Sequence, residues 1–257
     1  MVAKRHTKVG AEHGEAYANL AMRFLRALFN FSIAQYEDGS GNTLLRENPV
    51  VRLTQTRAWY RVERRQTVIK SRQLKPWYEA VMALKNDKTS QQPALVADYL
   101  LFLLFTGLRR QEAATLKWSN IDLQGQSFTI PDTKNRQPLT LPLTDFLYNL
   151  LEKRKASTDS DYIFAGTGKA GYLIEPRNQV QTVIEASGVP FTLHDLRRTF
   201  STRLHDAGIE PLVVEALLAH KQQGVAAVYN RASFHVAKRA ALERWHSLLK
   251  TIVGKHT

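Results

Sequence analysis

Helical spacing of the apolar residues is the feature of this chain that most constrains its fold. In one segment Leu196, Phe200 and Leu204 recur every four residues, which puts them on a single helix face. Only two short segments, residues 128–131 and 139–143, alternate apolar and polar residues in the manner of a strand. The sequence therefore predicts a mostly α domain with a small antiparallel sheet of roughly three strands, an α+β fold.

Further helices are predicted from apolar periodicity over other stretches of the chain. They cover residues 77–84, 93–105, 145–155, 176–187, 210–219 and 233–252. Thr192, followed three residues later by Asp195, resembles a capping box that would start the helix of Leu196. Gln124 and Gly125 form a turn signal before the first strand, and residues 132–137 are the expected loop between the strands.

A change of composition at residues 36–51 predicts a linker between two parts of the chain. This segment carries two glycines together with Asp, Asn and Pro, all residues typical of loops. The apolar residues before it recur at helical spacing, at Leu20, Phe24, Ala27, Leu28 and Phe31. That helix has little sequence of its own to pack against, so we expect it to end one domain or, alternatively, to dock on the main one.

Composition excludes several classes of protein. A chain of 257 residues with 44% hydrophobic residues can bury a core, which excludes a disordered basic tail. The absence of cysteine excludes a disulfide scaffold, a cysteine nucleophile and a cysteine-ligated zinc site. The longest mainly apolar run, Tyr99 to Leu108, has 10 residues, whereas about 20 are needed to span a bilayer. No membrane partner and no secretory signal after Met1 are therefore expected.

Net charge favours a polyanion as partner, and nucleic acid is the common one. The chain has 36 Lys and Arg against 23 Asp and Glu, a difference of +13. Eight basic residues and one acidic residue lie between positions 51 and 76, so this stretch alone contributes +7. It includes the candidate DNA-binding residues Arg57, Arg61, Arg64, Arg65, Lys70 and Arg72. Trp59, Tyr60 and Trp77 are expected to pack on DNA, or else to be core residues beneath a solvated face.

Two segments combine donors that could hold an anion. In residues 106–118, Gly107 is expected to end one helix and Arg109 to stand at the start of the next, near Glu112. Free N–H groups at a helix start attract anions, and a guanidinium adds a planar fork of donors. The alternative is a surface arginine pair. In residues 194–200, His194 and Arg197 share one helix face, an arrangement suited to an oxyanion. No metal is expected there, because no second ligand follows at suitable spacing.

Two other segments carry a candidate acid and a candidate nucleophile. Lys134 lies on the predicted loop at residues 132–137, where it could donate a proton or be only a solvated turn residue. His220 follows an apolar helix, and Tyr229 stands nine residues after it. A tyrosine hydroxyl becomes a useful nucleophile when donors stabilise the phosphate that it attacks and a base takes its proton.

The order of these residues resembles that of the tyrosine recombinases, the integrases of phages and mobile islands. TGLRRQE at residues 106–112 is similar to the first arginine box of that family, and HDLRRTFST at 194–202 to its His-x-x-Arg box. LLAHKQQGVAAVYNRA at 217–232 is similar to the terminal box that runs from a histidine to the tyrosine. The segment 23–53 is similar to the one that joins the family's core-binding and catalytic domains.

The resemblance implies a phosphate clamp built from two arginines. Arg109 and Arg197 match the family's clamping pair. Arg110 is a rival for the first position, but the Thr-Gly-x-Arg spacing favours Arg109. Glu112 matches an acidic position that helps to order the site.

The resemblance also assigns the residues that would move protons and form bonds. His194 matches a proton acceptor or orienting histidine, and His220 matches the histidine or tryptophan that bonds the phosphate. Tyr229 matches the nucleophile. Lys134 matches the hairpin lysine that protonates the leaving oxygen, with Arg136 as its rival.

The implied reaction joins the tyrosine to a DNA 3′-phosphate, releases a 5′-hydroxyl, and later reverses this step on a partner strand. No cofactor, metal ion or ATP is implied, because the arginines supply the positive charge and the covalent link conserves the bond energy. The implied partners are double-stranded DNA attachment sites, with a homotetramer on DNA and a monomer without it. The implied location is the cytoplasm, at the bacterial nucleoid.

The resemblance also implies two domains. Residues 1–47 would be the end of a core-binding domain plus its linker, and residues 48–257 the catalytic domain. The chain is therefore expected to be a separated catalytic domain or a shortened protein. The apolar residues of the last helix are Phe234, Leu242, Trp245, Leu248 and Leu249. Without DNA this helix is expected to fold back on its own domain, and docking on a neighbouring protomer is the alternative.

Two other functions fit part of this pattern. A type IB topoisomerase uses a similar tyrosine and basic constellation to relax supercoils, although the box spacing and the linker favour recombination. A DNA-binding module that has lost catalysis would use the basic stretch equally well. The presence together of both arginines, both histidines and Tyr229 argues against that module.

Overall fold

A computed structural model describes residues 1–63, 65–220 and 231–254, with only the backbone described at 231–233. The chain forms two compact units, Met1–Arg65 and Gln66–Thr257. The boundary between them lies later than the predicted end of the linker, because Val50 and Leu53 are fully buried in the small core of the first unit.

The first unit consists of helices α1 (Val2–His13), α2 (Glu15–Gln35) and the short α3 (Val51–Gln55). Helix α1 was not predicted, because its twelve residues are mostly polar and only His6 and Val9 among them are buried. It is held to α2 by the buried His6, whose Nε2 lies 3.0 Å from the Asn19 Oδ1. Residues 36–50 carry no helix; they form a loop within the first unit, before α3, whereas the sequence predicted a linker there between two parts of the chain.

Helix α2 is apolar on two sides, of which only one is buried. Ala18, Asn19 and Met22 lie on the buried side. The stripe predicted from the sequence lies on the other side of α2 and is exposed: Leu20, Phe24, Ala27, Leu28 and Phe31. Tyr17 is exposed on the same side. The exposed fraction reaches 65% for Phe24. The sequence thus located an apolar face correctly, but that face is not part of the unit's own core.

The second unit is mostly helical and contains one small sheet, as predicted. Its helices are α4 (Ser71–Lys85), α5 (Gln91–Thr106), α6 (Arg110–Ala114), α7 (Asp145–Lys155), α8 (Arg177–Ser187), α9 (Leu193–Asp206), α10 (Pro211–Leu217) and α11 (Arg231–Val253). Its strands are β1 (Ile121–Asp122), β2 (Ser127–Ile130) and β3 (Leu139–Pro142). The expectation of a mostly α domain with a three-stranded sheet is confirmed.

The sheet is antiparallel with the order β1-β2-β3. Phe128 pairs with Leu141 and Ile130 with Leu139, and all four side chains are buried. Alternation therefore points one face of the hairpin into the core and leaves the other to solvent. The hairpin loop lies between Ile130 and Leu139, where the sequence predicted it.

Helix α5 is the centre of the core. Every residue from Val96 to Thr106 is buried, and a helix that is apolar around its whole circumference must be enclosed by others. Helices α4 and α9 pack against it on two sides. Trp77, which the sequence left open between DNA contact and core, is fully buried here and is a core residue.

Helix α11 packs on its own unit, as expected for the chain without DNA. Leu242, Trp245 and Leu249 are buried, and the Trp245 Nε1 donates to the Leu104 carbonyl at 3.1 Å. The neighbouring His246 contacts the Thr144 hydroxyl at 2.6 Å. Burial lowers the pKa of His246 to about 3, so the ring remains neutral near pH 7. Within the described part of the chain, none of the helices could cross a membrane.

Two helices end in a glycine of left-handed conformation, and only one of these glycines is crowded. Gly107 ends α5 with φ 66°, and a Cβ there would collide with the Phe200 ring. Gly188 ends α8 with φ 65°, and a Cβ there would meet nothing within 4 Å. Substituting alanine at each of these two glycines therefore separates the cost of backbone strain, which both share, from the cost of close packing, which only Gly107 has.

We predict that Gly107→Ala destabilises the second unit more than Gly188→Ala. Both variants carry the strain of a side chain at positive φ, about 1–2 kcal/mol. Gly107→Ala adds an overpacking cost of about 1–3 kcal/mol, because Phe200 must move. The free energy of unfolding in urea measures both losses. Equal losses at the two positions would contradict the close packing of Gly107 on Phe200.

Candidate active site

Arg109 lies at the start of α6, as the sequence predicted. It is the N-cap residue of that helix, and Glu112 is the third residue within it. The Glu112 carboxylate accepts hydrogen bonds from the Arg109 backbone N–H at 3.0 Å and from the Arg109 Nη1 at 2.8 Å. Glu112 is buried, so the Arg109 guanidinium is held in one orientation with its side chain 23% exposed. Its rival Arg110 instead pairs with Glu175 at 3.5 Å.

Arg197 on α9 is the most connected residue of the site. Its Nη1 donates to the Gly107 carbonyl at 2.7 Å, and its Nη2 donates to the Leu218 carbonyl at 2.8 Å. The same Nη2 lies 3.0 Å from the His220 Nε2. The guanidinium thus joins the turn before α6 to the turn after α10, and the side chain is buried between them.

Burial disfavours the protonated form of Arg197, and the neighbouring charge of Arg109 adds to this effect. Burial, followed by the nearby positive charge of Arg109, lowers the pKa of Arg197 to about 10, while Glu112 and Glu215 act in the opposite direction. Arg197 therefore still carries its charge at neutral pH. Two guanidiniums in partial repulsion form a site that an anion would relieve.

His194 stands on the first turn of α9, three residues before Arg197. The start of this helix is fixed by the Asp195 carboxylate, which accepts from the Thr192 N–H and hydroxyl, both at 2.9 Å. Partial burial and then the charges of Arg198, Arg197 and Arg109 lower the pKa of His194, although Asp195 raises it. The neutral ring, which can accept a proton, is therefore favoured near pH 7.

His220 is held between a carboxylate and a guanidinium. Its Nδ1 lies 2.5 Å from the Glu215 Oε2, and its Nε2 faces Arg197. Because a guanidinium can only donate, Nε2 is the acceptor and Nδ1 carries the proton that Glu215 accepts. Glu215 was not identified from the sequence; its only signal was a carboxylate five residues before His220, near the end of α10.

The hairpin loop reaches the same region through Asn135. The Asn135 Nδ2 donates to the Ala219 carbonyl at 2.5 Å, directly before His220. Lys134 and its rival Arg136 flank Asn135, and both are exposed. Their exposure does not distinguish the two residues, so the role of Lys134 as the general acid stays a prediction. Asn135 itself was not identified from the sequence.

The remaining predicted residues lie outside this cluster. Tyr229 and Arg64 fall outside the described residues. Arg57, Arg61 and Arg65 are exposed in the first unit, and Lys70 and Arg72 are exposed at the start of α4 in the second. The aromatic residues beside them, Trp59 and Tyr60, are partly buried and lie against His6. Over residues 1–63, 65–220 and 231–254, no group of three or more His, Asp or Glu side chains is arranged to hold a metal ion.

The sequence matches a known family over most of the second unit. The phage integrase family is matched at residues 76–235. Prophage integrase IntF of Escherichia coli is 30% identical over 191 residues, which cover 71% of this chain and 38% of IntF. Tyrosine recombinase XerA of Pyrococcus furiosus is 27% identical over 167 residues, which cover 62% of this chain and 58% of XerA. The chain thus spans about two fifths of the length of the prophage integrases it matches.

Solved structures share the fold. A lambda integrase fragment, residues 75–356, bound as a dimer to a core site superposes with a TM-score of 0.62 at 22% identity, over 86% of this chain and 78% of that one. The XerH site-specific recombinase in a post-cleavage complex with palindromic difH superposes with a TM-score of 0.66 at 18% identity, over 97% of this chain and 71% of that one.

Proposed function

The chain belongs to the phage integrase family, and from this premise we propose that it is the catalytic part of a site-specific DNA recombinase. It would cleave and rejoin DNA strands through a covalent 3′-phosphotyrosine intermediate, without metal or ATP. One observation carries the proposal: the buried Arg197 guanidinium hydrogen-bonds to the Gly107 carbonyl, close to Arg109, and contacts the His220 ring. Three sequence boxes that are distant along the chain meet at this one group.

The two arginines would bind the phosphate that is cut. Charge builds on its non-bridging oxygens as phosphorus becomes pentacoordinate, and fixed donors stabilise that charge. Arg109 is oriented by Glu112, and Arg197 by the Gly107 and Leu218 carbonyls. A phosphate between them would also relieve the repulsion from Arg109, which adds to burial in lowering the pKa of Arg197.

The two histidines would serve the same phosphate in different ways. Neutral His194 would accept or orient the proton of the attacking hydroxyl. Glu215 holds the His220 ring through Nδ1 and leaves Nε2 on the side of Arg197. His220 would bond a phosphate oxygen from that side.

Tyr229 and Lys134 would make and break the covalent bonds. The Tyr229 oxygen would attack phosphorus in line, forming the phosphotyrosyl bond while the bond to the DNA 5′-oxygen breaks. Lys134 would give a proton to that leaving oxygen, a general-acid step worth about 100- to 10,000-fold in rate. A 5′-hydroxyl from a partner duplex would then reverse the step and rejoin the exchanged strand.

We predict a covalent protein–DNA adduct that forms in the presence of EDTA. The substrate is a pool of nicked duplexes with a randomised centre. Cleavage near the nick releases a short fragment that carries the new 5′-hydroxyl, and its diffusion away traps the covalent intermediate. Tyr229→Phe should abolish the adduct, because it removes the nucleophilic hydroxyl. Tyr36→Phe, at an exposed tyrosine of the first unit, should not change its yield. Denaturing electrophoresis of the labelled DNA measures both.

Two results would contradict this proposal. An adduct that survives Tyr229→Phe would assign the attack to another residue. Salt-sensitive DNA binding by the unaltered chain, without adduct from any duplex in the pool, would favour the binding-only alternative.

The exposed basic stretch is proposed to contact the DNA backbone. Neutralised phosphates release counterions, so each contact adds about 0.9 to the steepness with which affinity falls with salt. We predict that the double variant Arg57→Ala, Arg61→Ala binds duplex DNA more weakly and with a shallower salt dependence. Lys88→Ala, which removes an exposed charge between α4 and α5, is the matched control. Fluorescence anisotropy across a salt series measures both, and an unchanged slope in the double variant would refute the contact.

We propose that the chain acts as a homotetramer on DNA at the bacterial nucleoid and is a monomer without DNA. We also propose that residues 1–47 are the end of a core-binding domain and residues 48–257 the catalytic domain, with the boundary moved to Arg65, where the first compact unit ends. The exposed stripe of α2 supports the first assignment, because an apolar face of this size is normally covered by other helices of its domain.

A further inference from the structure

We infer that Asn135 is a positioning residue, which fixes the loop of the general acid Lys134 onto the turn that carries His220. The inference rests on the proposed function, since it concerns how the acid of that reaction is brought to the site. Its basis is the hydrogen bond between the Asn135 side chain and the Ala219 carbonyl, which joins residues 84 positions apart.

The loop that carries Asn135 is internally ordered. Thr133 is buried, and its hydroxyl donates to the Gln137 carbonyl at 2.9 Å while it accepts from the Asn135 N–H at 3.3 Å. The Arg136 N–H closes the turn on the Thr133 carbonyl at 2.7 Å. Fixing the Asn135 side chain therefore also fixes the backbone of Lys134, its neighbour in the same turn.

The turn that Asn135 reaches is strained and is held on both sides. Ala219 has φ 48°, in the left-handed region that a residue with a Cβ rarely adopts. The carbonyl before it, that of Leu218, accepts from Arg197, and its own carbonyl accepts from Asn135. The His220 N–H that follows bonds to the Glu215 carbonyl at 3.0 Å.

Two consecutive carbonyls, those of Leu218 and Ala219, thus accept hydrogen bonds from the phosphate-clamping Arg197 and from the general-acid loop. The turn from Leu218 to His220 is the point at which the clamp, the second histidine and the hairpin meet. Without the Asn135 amide, Lys134 would stand on an exposed loop that has, among the described residues, no other side-chain hydrogen bond to the turn of His220. A displacement of about 1 Å can cost a catalytic group about 100-fold.

The test compares two leaving groups in the adduct assay. One duplex has the normal 5′-oxygen at the cut, and the other has sulfur in that bridging position, which leaves as a thiolate without a proton. Asn135→Ala should slow cleavage of the oxygen duplex by about 10- to 100-fold and cleave the sulfur duplex at nearly the rate of the unaltered chain. In a Lys134→Ala background the same change should have little further effect. Gln137→Ala, an exposed position of the same loop, is the control.

Equal slowing of both duplexes by Asn135→Ala would overturn the inference, because it would indicate general damage to the site. An unchanged rate on the oxygen duplex would overturn it as well. Amide hydrogen exchange gives a readout that needs no DNA: Asn135→Ala should speed exchange at residues 133–137 and 218–220, and Gln137→Ala should not. If the unaltered chain forms no adduct on either duplex, the proposed function fails, and the exchange measurement alone supports or overturns the tie between the two segments.

Discussion

The buried guanidinium of Arg197 is the interaction on which the rest of the site depends. A charged group removed from water is costly unless each of its donors finds an acceptor. Arg197 gives two of its donors to the carbonyls of Gly107 and Leu218, at the ends of two helical segments. Those segments must therefore end where they do, and the groups that follow each end, Arg109 and His220, are brought to the same place.

The arrangement stores unfavourable charge that a substrate can relieve. Arg109 stands near enough to Arg197 to lower its pKa, and both lower the pKa of His194. Glu112 and Glu215 offset this excess at Arg197, and Asp195 offsets it at His194. Under the proposed function, a phosphodiester that enters the cluster would gain donors that are already oriented, so little reorganisation would be needed when charge develops. The hydrogen bond of Asn135 would extend the same preorganisation to the leaving-group side.

The features that could be predicted from the sequence are those that depend on residues close together along the chain. The helices and the hairpin follow from spacing, and Arg109 with Glu112 from the three-residue offset at a helix start. The contacts that complete the site join distant segments, such as Arg197 with Gly107 and Asn135 with Ala219, and no local pattern encodes them. Helix α1 was not predicted because it is mostly polar. Whether Trp77 would be buried depended on which helices pack around α4, and the sequence alone does not show this.

Amide hydrogen exchange of Arg197→Lys tests the central role of this guanidinium most directly. An ammonium group donates from one atom and cannot span two carbonyls that a planar fork bridges. Arg198→Lys, at the next residue of the same helix, is the control, because Arg198 bonds to Asp195 on its own helix. The account predicts faster exchange near Gly107 and at residues 218–220 in Arg197→Lys alone, with α9 still protected. Unchanged protection of both segments would contradict it.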